Sequence, residues 1–142
     1  MNLFQERTYR TQFNSERFTG FEISYLETDL WIGVDSDSFN LEMKELALDK
    51  IKSLRKQFDE YIKSEPFFKK SLKPFHPSGF APSEAVEMAV AAEKAGIGPM
   101  SAVAGLFARE IGEEIIQNFS VNELVVENGG DIYVLLKDEL IL

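Results

Sequence analysis

Two glycine-rich stretches hold the residue types in this chain that could do chemistry. The first is Gly96-Ile97-Gly98-Pro99-Met100-Ser101. Pro99 suits the first position of a helix, so the stretch reads as a turn feeding a helix start. Backbone N–H groups near Met100, Ser101 and Ala102 then have no intrahelical acceptor and lie at the positive end of the helix dipole. A phosphate, pyrophosphate or carboxylate would bind there, and Gly98 would let it approach the backbone closely. The plainer alternative is a tight helix–helix turn that needs glycine for its dihedrals. Ser101 is then a ligand hydroxyl or a capping group.

The second stretch is Glu127-Asn128-Gly129-Gly130-Asp131. Two carboxylates and an amide gather around a glycine turn. They could bind magnesium through water, a ribose or the edge of an isoalloxazine ring. Asn-Gly and Gly-Gly are also ordinary hairpin turns. Glu127 is the more informative residue, because it follows apolar Val125-Val126 on a strand expected to be buried. A buried carboxylate needs a partner, a metal or a raised pKa. A third feature is the row Ala104, Ala108 and Gly112, with Gly105 beside it. Spacing of four puts the row on one helix face, which points to tight helix–sheet packing.

Other chemistry has less support. The chain has no Cys, so a disulfide, a thiolate nucleophile and a Cys-ligated zinc are excluded. The single histidine, His76, lies between Pro74 and Pro77 with no paired nucleophile or metal-ligand spacing. No catalytic or metal-ligating residue is assigned. The net charge of −9 argues against nucleic acid as a partner. A small phosphorylated ligand stays compatible, because a helix terminus binds an anion without net positive charge. The apolar-rich region Ala85–Ala108 is broken by Glu87, Glu93, Lys94, Gly96, Gly98 and Pro99, so no membrane partner is expected. Met1–Arg10 lacks the apolar core of a signal peptide, and the expected compartment is the cytoplasm.

The elements that must position these residues follow from periodicity. Phe18–Asp35 alternates as a β-hairpin with a polar turn at Glu27-Thr28-Asp29. Tyr9–Phe13 is a candidate preceding strand. Asn40–Ser64 is an amphipathic helix carried by Leu41, Leu48, Ile51, Leu54, Phe58, Tyr61 and Ile62. Ser38 or Asn40 is its cap, and Pro66 stops it. Pro66–Pro82 is an ordered loop with aromatic anchors and room for one helical turn. Ser83–Ala95 is a second helix, with Ser83 as N-cap and Gly96 just past its end. Pro99–Asn118 is a third. Val121–Glu127 and Ile132–Leu136 form a second hairpin, apolar on both faces and so expected in the middle of the sheet. Glu139–Leu142 looks like the start of another strand, which suggests a homo-oligomer or a partner that completes the C-terminal edge. The fold class expected is α+β, an antiparallel sheet of hairpins packed with three main helices, in a single domain spanning residues 1–142.

Three motifs in order carry a family resemblance: Glu27-Thr28-Asp29-Leu30-Trp31-Ile32, Gly98-Pro99-Met100-Ser101-Ala102-Val103-Ala104-Gly105, and Val126-Glu127-Asn128-Gly129-Gly130-Asp131-Ile132-Tyr133. Together they resemble the ApbE-like superfamily, and within it the uncharacterised ApbE-related family of bacteria and archaea, relatives of the FAD:protein flavin transferases. The resemblance implies an α+β fold and binding of FAD or FMN with magnesium. The characterised relatives move FMN onto a Thr or Ser of a target protein and release AMP. By that analogy Gly98, Met100, Ser101, Gly105, Asn128, Gly129, Gly130 and Asp131 would line a nucleotide pocket. The flavin transferases also carry a lysine at the glycine-rich helix start, and Pro99–Leu106 contains none. Their Thr-Ser-Ser-Gly-like and Ala-Asp-Ala-x-x-Thr segments come later than Leu142. The chain is therefore expected to match the N-terminal part of a longer family fold. Two functions stay open: nucleotide or flavin binding, and a non-enzymatic binding or assembly domain.

Overall fold

A computed structural model describes residues 17–137. The expected strands at Tyr9–Phe13 and Glu139–Leu142 lie outside the described residues. The architecture is α+β, as the alternation and the helical periodicity predict. Four antiparallel strands run in the order β1 (Phe18–Tyr25), β2 (Thr28–Asp35), β3 (Leu124–Asn128) and β4 (Asp131–Leu135). Between β2 and β3 come helices α1 (Glu42–Ser64), α2 (Phe67–Lys70), α3 (Ser83–Lys94) and α4 (Val103–Asn118). The chain divides into two compact units, Met1–Ile51 with Phe107–Leu142, and Lys52–Leu106.

The first unit is built on the sheet. Leu30, Ile32, Val34, Leu124 and Val126 share one face and are fully buried. Ile111 and Ile115 of α4 are buried as well, and so are Met43, Ala47 and Ile51 of α1. Gly112 of α4 lets the helix lie close to the sheet, because a Cβ there would stand 2.5 Å from the Tyr133 ring. Gly112, the last of the row of small residues, thus serves helix–sheet packing. Lys50 of α1 lies 3.9 Å from Glu110 and 3.8 Å from Glu114 of α4.

The opposite face has its own small core of Phe18, Trp31 and Val125. Gly20 pairs with Gly33 across the hairpin. The Trp31 indole covers both, since a Cβ would come within 2.4 Å of the ring at Gly20 and 2.3 Å at Gly33. Two strand glycines leave a gap in the pleated surface, and one large ring fills it.

The turns and ends show what local pattern missed. The β1–β2 turn is Leu26-Glu27, not Glu27-Thr28-Asp29. Thr28 and Asp29 pair with Tyr25 and Ser24, and the Ser24 hydroxyl meets Asp29 at 3.1 Å. Leu41 is exposed, because α1 starts one residue later, and Met43 and Ala47 take the buried stripe instead. Asn40 caps α1 by accepting the Glu42 N–H at 2.8 Å, while the Ser38 hydroxyl donates to Asp35.

Strand β3 begins at Leu124 rather than Val121, and the cause is Asp35. Its carboxylate accepts the N–H groups of Asn122 at 2.8 Å and Glu123 at 3.0 Å. Those groups therefore cap the end of β2. Glu123 in turn binds Arg17 at 2.6 Å and the Lys137 N–H at 3.1 Å. β3 is interior and buried, as its apolar faces predict. β4 is not central, because among the described residues it pairs only with β3, and Val134 and Leu135 are exposed.

The second unit packs around aromatic rings. Phe68 of α2 is buried, 6.4 Å from the Phe58 ring, 5.1 Å from Tyr61 and 6.0 Å from Phe75. The Tyr61 hydroxyl donates to Glu65, and burial, then that bond and charge, push its pKa well above the ordinary value. Ser83 does not cap α3. Pro82 occupies that position, and the Ser83 hydroxyl faces Glu84. Among the described residues, no helix is long and apolar enough to cross a membrane.

Burial pushes the Asp35 carboxyl up, but hydrogen bonds from Ser38, Glu123 and Asn122 outweigh it and hold it below the usual carboxylate range. A depressed folded pKa contributes stability above the unfolded value of ~3.9 and loses it as pH falls through the folded value. Asp35→Asn is expected to cost about 1–3 kcal/mol at neutral pH. Denaturant titrations from pH 7 down to 3 should show the gap between the two proteins closing. A constant gap would rule out this role for the carboxylate.

Candidate functional site

The glycine-rich helix start lies in the second unit. Gly96 ends α3 with a positive φ of 71°. Its N–H donates to the Glu93 carbonyl at 2.9 Å, and the Ile97 N–H donates to Ala92 at 3.2 Å. This double bond pattern is a Schellman C-cap, so Gly96 is there for its dihedrals.

Gly98 is different. Its backbone is extended, with φ −74° and ψ 159°, a conformation any residue adopts. What it needs is room. A Cβ would lie 1.8 Å from the Ser71 carbonyl oxygen and 3.2 Å from Leu72 Cα. The close approach expected for a ligand is made by the chain's own backbone.

The donors at this terminus are also partly used. Pro99–Ala102 is a 3-10 turn, and α-helix proper begins at Val103. The Ser101 N–H donates to Gly98 at 3.2 Å, and its hydroxyl donates to the same carbonyl at 2.8 Å. The Ser101 hydroxyl thus closes the turn and caps no helix N–H, and the Ser101 N–H is not an orphan donor. Met100 and Gly105 are half-buried, and Ser101 keeps an exposed surface.

The second stretch closes the β3–β4 hairpin in the first unit. Gly129 and Gly130 have φ of 58° and 98°, the two positive values of a type I′ turn. A Cβ on Gly129 would meet nothing within 4 Å. Gly129, Gly130 and Asp131 are exposed, and Asn128 is half-buried.

Glu127 is 1% exposed. Its carboxylate accepts the Gly130 N–H at 3.2 Å, so it holds the turn from inside the sheet. Glu127 pairs with Trp31 and Ile132, whereas Asn128 pairs with Asp131. Strand alternation therefore puts the Glu127 and Asp131 carboxylates on opposite faces. They do not converge on one ion. Among the described residues, no three His, Cys, Asp or Glu side chains group as metal ligands, so a magnesium held by these residues does not fit.

Tyr133 follows the tip on β4. Burial, then the charge of Glu113, raise its pKa, with Arg109 opposing. Its phenol stays protonated at neutral pH. His76 is exposed in the 66–82 loop.

Sequence reasoning missed the Asp35 clamp and the Ser71–Gly98 contact. Both join residues distant in the chain, and neither leaves a periodic signal. Two glycines close to the one tryptophan were a usable hint of the Trp31 packing.

The fold and the Gly-Gly hairpin define an α+β protein built on antiparallel hairpins. The sequence model of the family described as AbpE bacteria matches residues 10–142, and the chain belongs to that family. It is similar to a UPF0280 protein of Methanococcoides burtonii, 38% identical over 110 residues, 77% of this chain and 44% of the relative. A UPF0280 protein of Methanocaldococcus jannaschii is 33% identical over 116 residues, 82% of this chain and 44% of the relative. The match to one from Methanosphaerula palustris is 40% over 91 residues, 64% of this chain and 38% of the relative. The chain thus spans less than half the length of these relatives.

Replacing Gly98 separates the two roles considered for it. Gly98→Ala should destabilise the protein by about 2 kcal/mol or more, since overpacking against backbone has no side chain to move aside. Thermal unfolding measures this. An unchanged Tm would return Gly98 to the list of ligand-contacting residues.

Proposed function

We propose that this chain binds a flavin or another nucleotide, and that the Asn128–Asp131 hairpin tip touches the ligand. One observation carries the reading: a fully buried carboxylate, Glu127, lies directly beneath an exposed, bare glycine turn. A plain type I′ turn needs no such residue, and burying a carboxylate is costly unless it is bonded. Here its bond to Gly130 fixes the backbone of the tip, which pre-organises a contact surface.

The chemistry of the tip suits the sugar or ring more than the phosphates. Asp131 is acceptor-only when ionised, so it would accept from ribose hydroxyls or a ring N–H and repel a pyrophosphate. The resemblance to the ApbE-like superfamily supports FAD or FMN as the class of ligand. Magnesium would come with the phosphates. Transfer of FMN to a target is not part of this reading. The lack of Cys suits a reducing compartment such as the cytoplasm.

A second reading is favoured by β4. Val134 and Leu135 are 44% and 38% exposed on opposite faces of β4, which among the described residues pairs only with β3. A second copy or a partner strand would complete the sheet there, and the domain would serve assembly.

Titration of the whole chain with FAD, FMN and ADP, with and without magnesium, tests the first reading by calorimetry and flavin fluorescence. Saturable binding weakened about tenfold or more by Asp131→Ala, at unchanged Tm, is expected, the size of one lost charge-assisted hydrogen bond. A folded sample that binds none of the three would refute it. For the second reading, Val134→Lys with Leu135→Lys should abolish self-association in sedimentation velocity. A chain that is monomeric at all concentrations removes the self-assembly arm.

A further inference from the structure

The averaged net charge hides a segment of opposite sign. Between Pro66 and Pro82 stand Lys69, Lys70 and Lys73 and no Asp or Glu, in a chain of net charge −9. The three lysines are exposed. Around them apolar side chains face solvent: Phe80 is 99% exposed, Leu72 86% and Phe67 70%.

This segment is built, not loose. The Phe75 ring stands 6.0 Å from Phe68, which is itself buried. The Ser78 N–H reaches back to Glu65 at 3.5 Å, and the Ser71 carbonyl is seated against Gly98. The loop therefore doubles back on a buried aromatic anchor. Ala81 N–H donates to Ser78 at 3.1 Å, and Phe80 stands on the turn those residues close. Phe68 is buried and Phe75 half-buried beside it, whereas Phe67 and Phe80 face solvent.

We propose that the 66–82 loop docks on an anionic lipid surface. Phe80, Leu72 and Phe67 enter the headgroup region, and Lys69, Lys70 and Lys73 meet the lipid phosphates. Charge complementarity argues for an anionic partner, since the rest of the chain is more acidic than the whole. That acidic remainder is repelled by the surface and orients the loop towards it. Single apolar side chains that protrude this far need no groove of matching shape in a fluid interface, whereas a protein partner would have to supply one. The broken apolar region Ala85–Ala108 pointed away from a membrane partner. The local pattern points to peripheral contact, which is a different matter from a span.

Cosedimentation of the full chain with vesicles tests this. Vesicles of phosphatidylcholine with 40% phosphatidylglycerol, roughly the acidic fraction that makes a surface strongly negative, are compared with pure phosphatidylcholine. Binding is expected only to the anionic vesicles and should fall at least about tenfold between low and physiological salt. Phe80→Ser with Leu72→Ser, and separately Lys69→Gln with Lys70→Gln and Lys73→Gln, should each weaken it about tenfold or more. These side chains are exposed, so the variants should fold, and their Tm confirms it. No binding of the folded wild-type chain to anionic vesicles at low salt overturns the proposal. So does equal binding to neutral vesicles, or binding that both sets of substitutions leave unchanged. Retention on an acidic polypeptide without vesicle binding would assign the loop to a protein partner instead and also overturn it.

Discussion

The register of the sheet depends on one long-range tie. Asp35, at the end of β2, accepts the N–H groups of Asn122 and Glu123, residues 87 and 88 positions away in the chain. Strand pairing alone does not say which residue should lie opposite which, and a one-residue slip exchanges the two faces. Such a slip would bring Glu127 round to the side of Leu30 and Ile32 and turn Val126 away from it. Fixing the strand at its first residues prevents this. Glu127 then falls opposite Trp31, and the hairpin tip falls at the far end of the sheet. The clamp and the tip are thus opposite ends of one registered strand.

Glycine does several different jobs in this chain. Gly96, Gly129 and Gly130 supply positive φ. Gly98 makes room for backbone, and Gly20, Gly33 and Gly112 make room for aromatic rings. Around Gly79, Gly96 and Gly129 the space beside the backbone is left open, whereas at Gly98 it is filled. A glycine-rich motif read as a ligand cradle is therefore two different things here: a packed joint at the helix start and an open tip at the hairpin. That distinction moves the weight of the functional argument from Gly98 to the Asn128–Asp131 turn.

The parts legible in the sequence were those written in local periodicity. The alternation of Phe21, Ile23 and Tyr25, the stripe from Ile51 to Tyr61 and the Asn-Gly-Gly-Asp turn each follow from neighbours a few residues apart. The burial of Glu127 was readable for the same reason, because its flanks are apolar. Boundaries set by distant partners were not readable. β3 starts late because Asp35 takes the N–H groups before it, and among the described residues β4 pairs only with β3. Gly98 looked like a site because nothing in the sequence announces Ser71 as its neighbour.

The insertion of Lys52–Leu106 between the two parts of the sheet unit has a consequence for synthesis. The β1–β2 hairpin leaves the ribosome before β3, with the apolar sides of Leu30, Ile32 and Val34 uncovered. Its partner β3 follows only after about 90 more residues. At a typical elongation rate of ~5–20 residues per second, that is a wait of several seconds or more. The inserted unit is contiguous in sequence and can collapse while the hairpin waits. For that interval the nascent chain carries an open strand edge, and its yield in the cell should be sensitive to whatever shields such edges during translation.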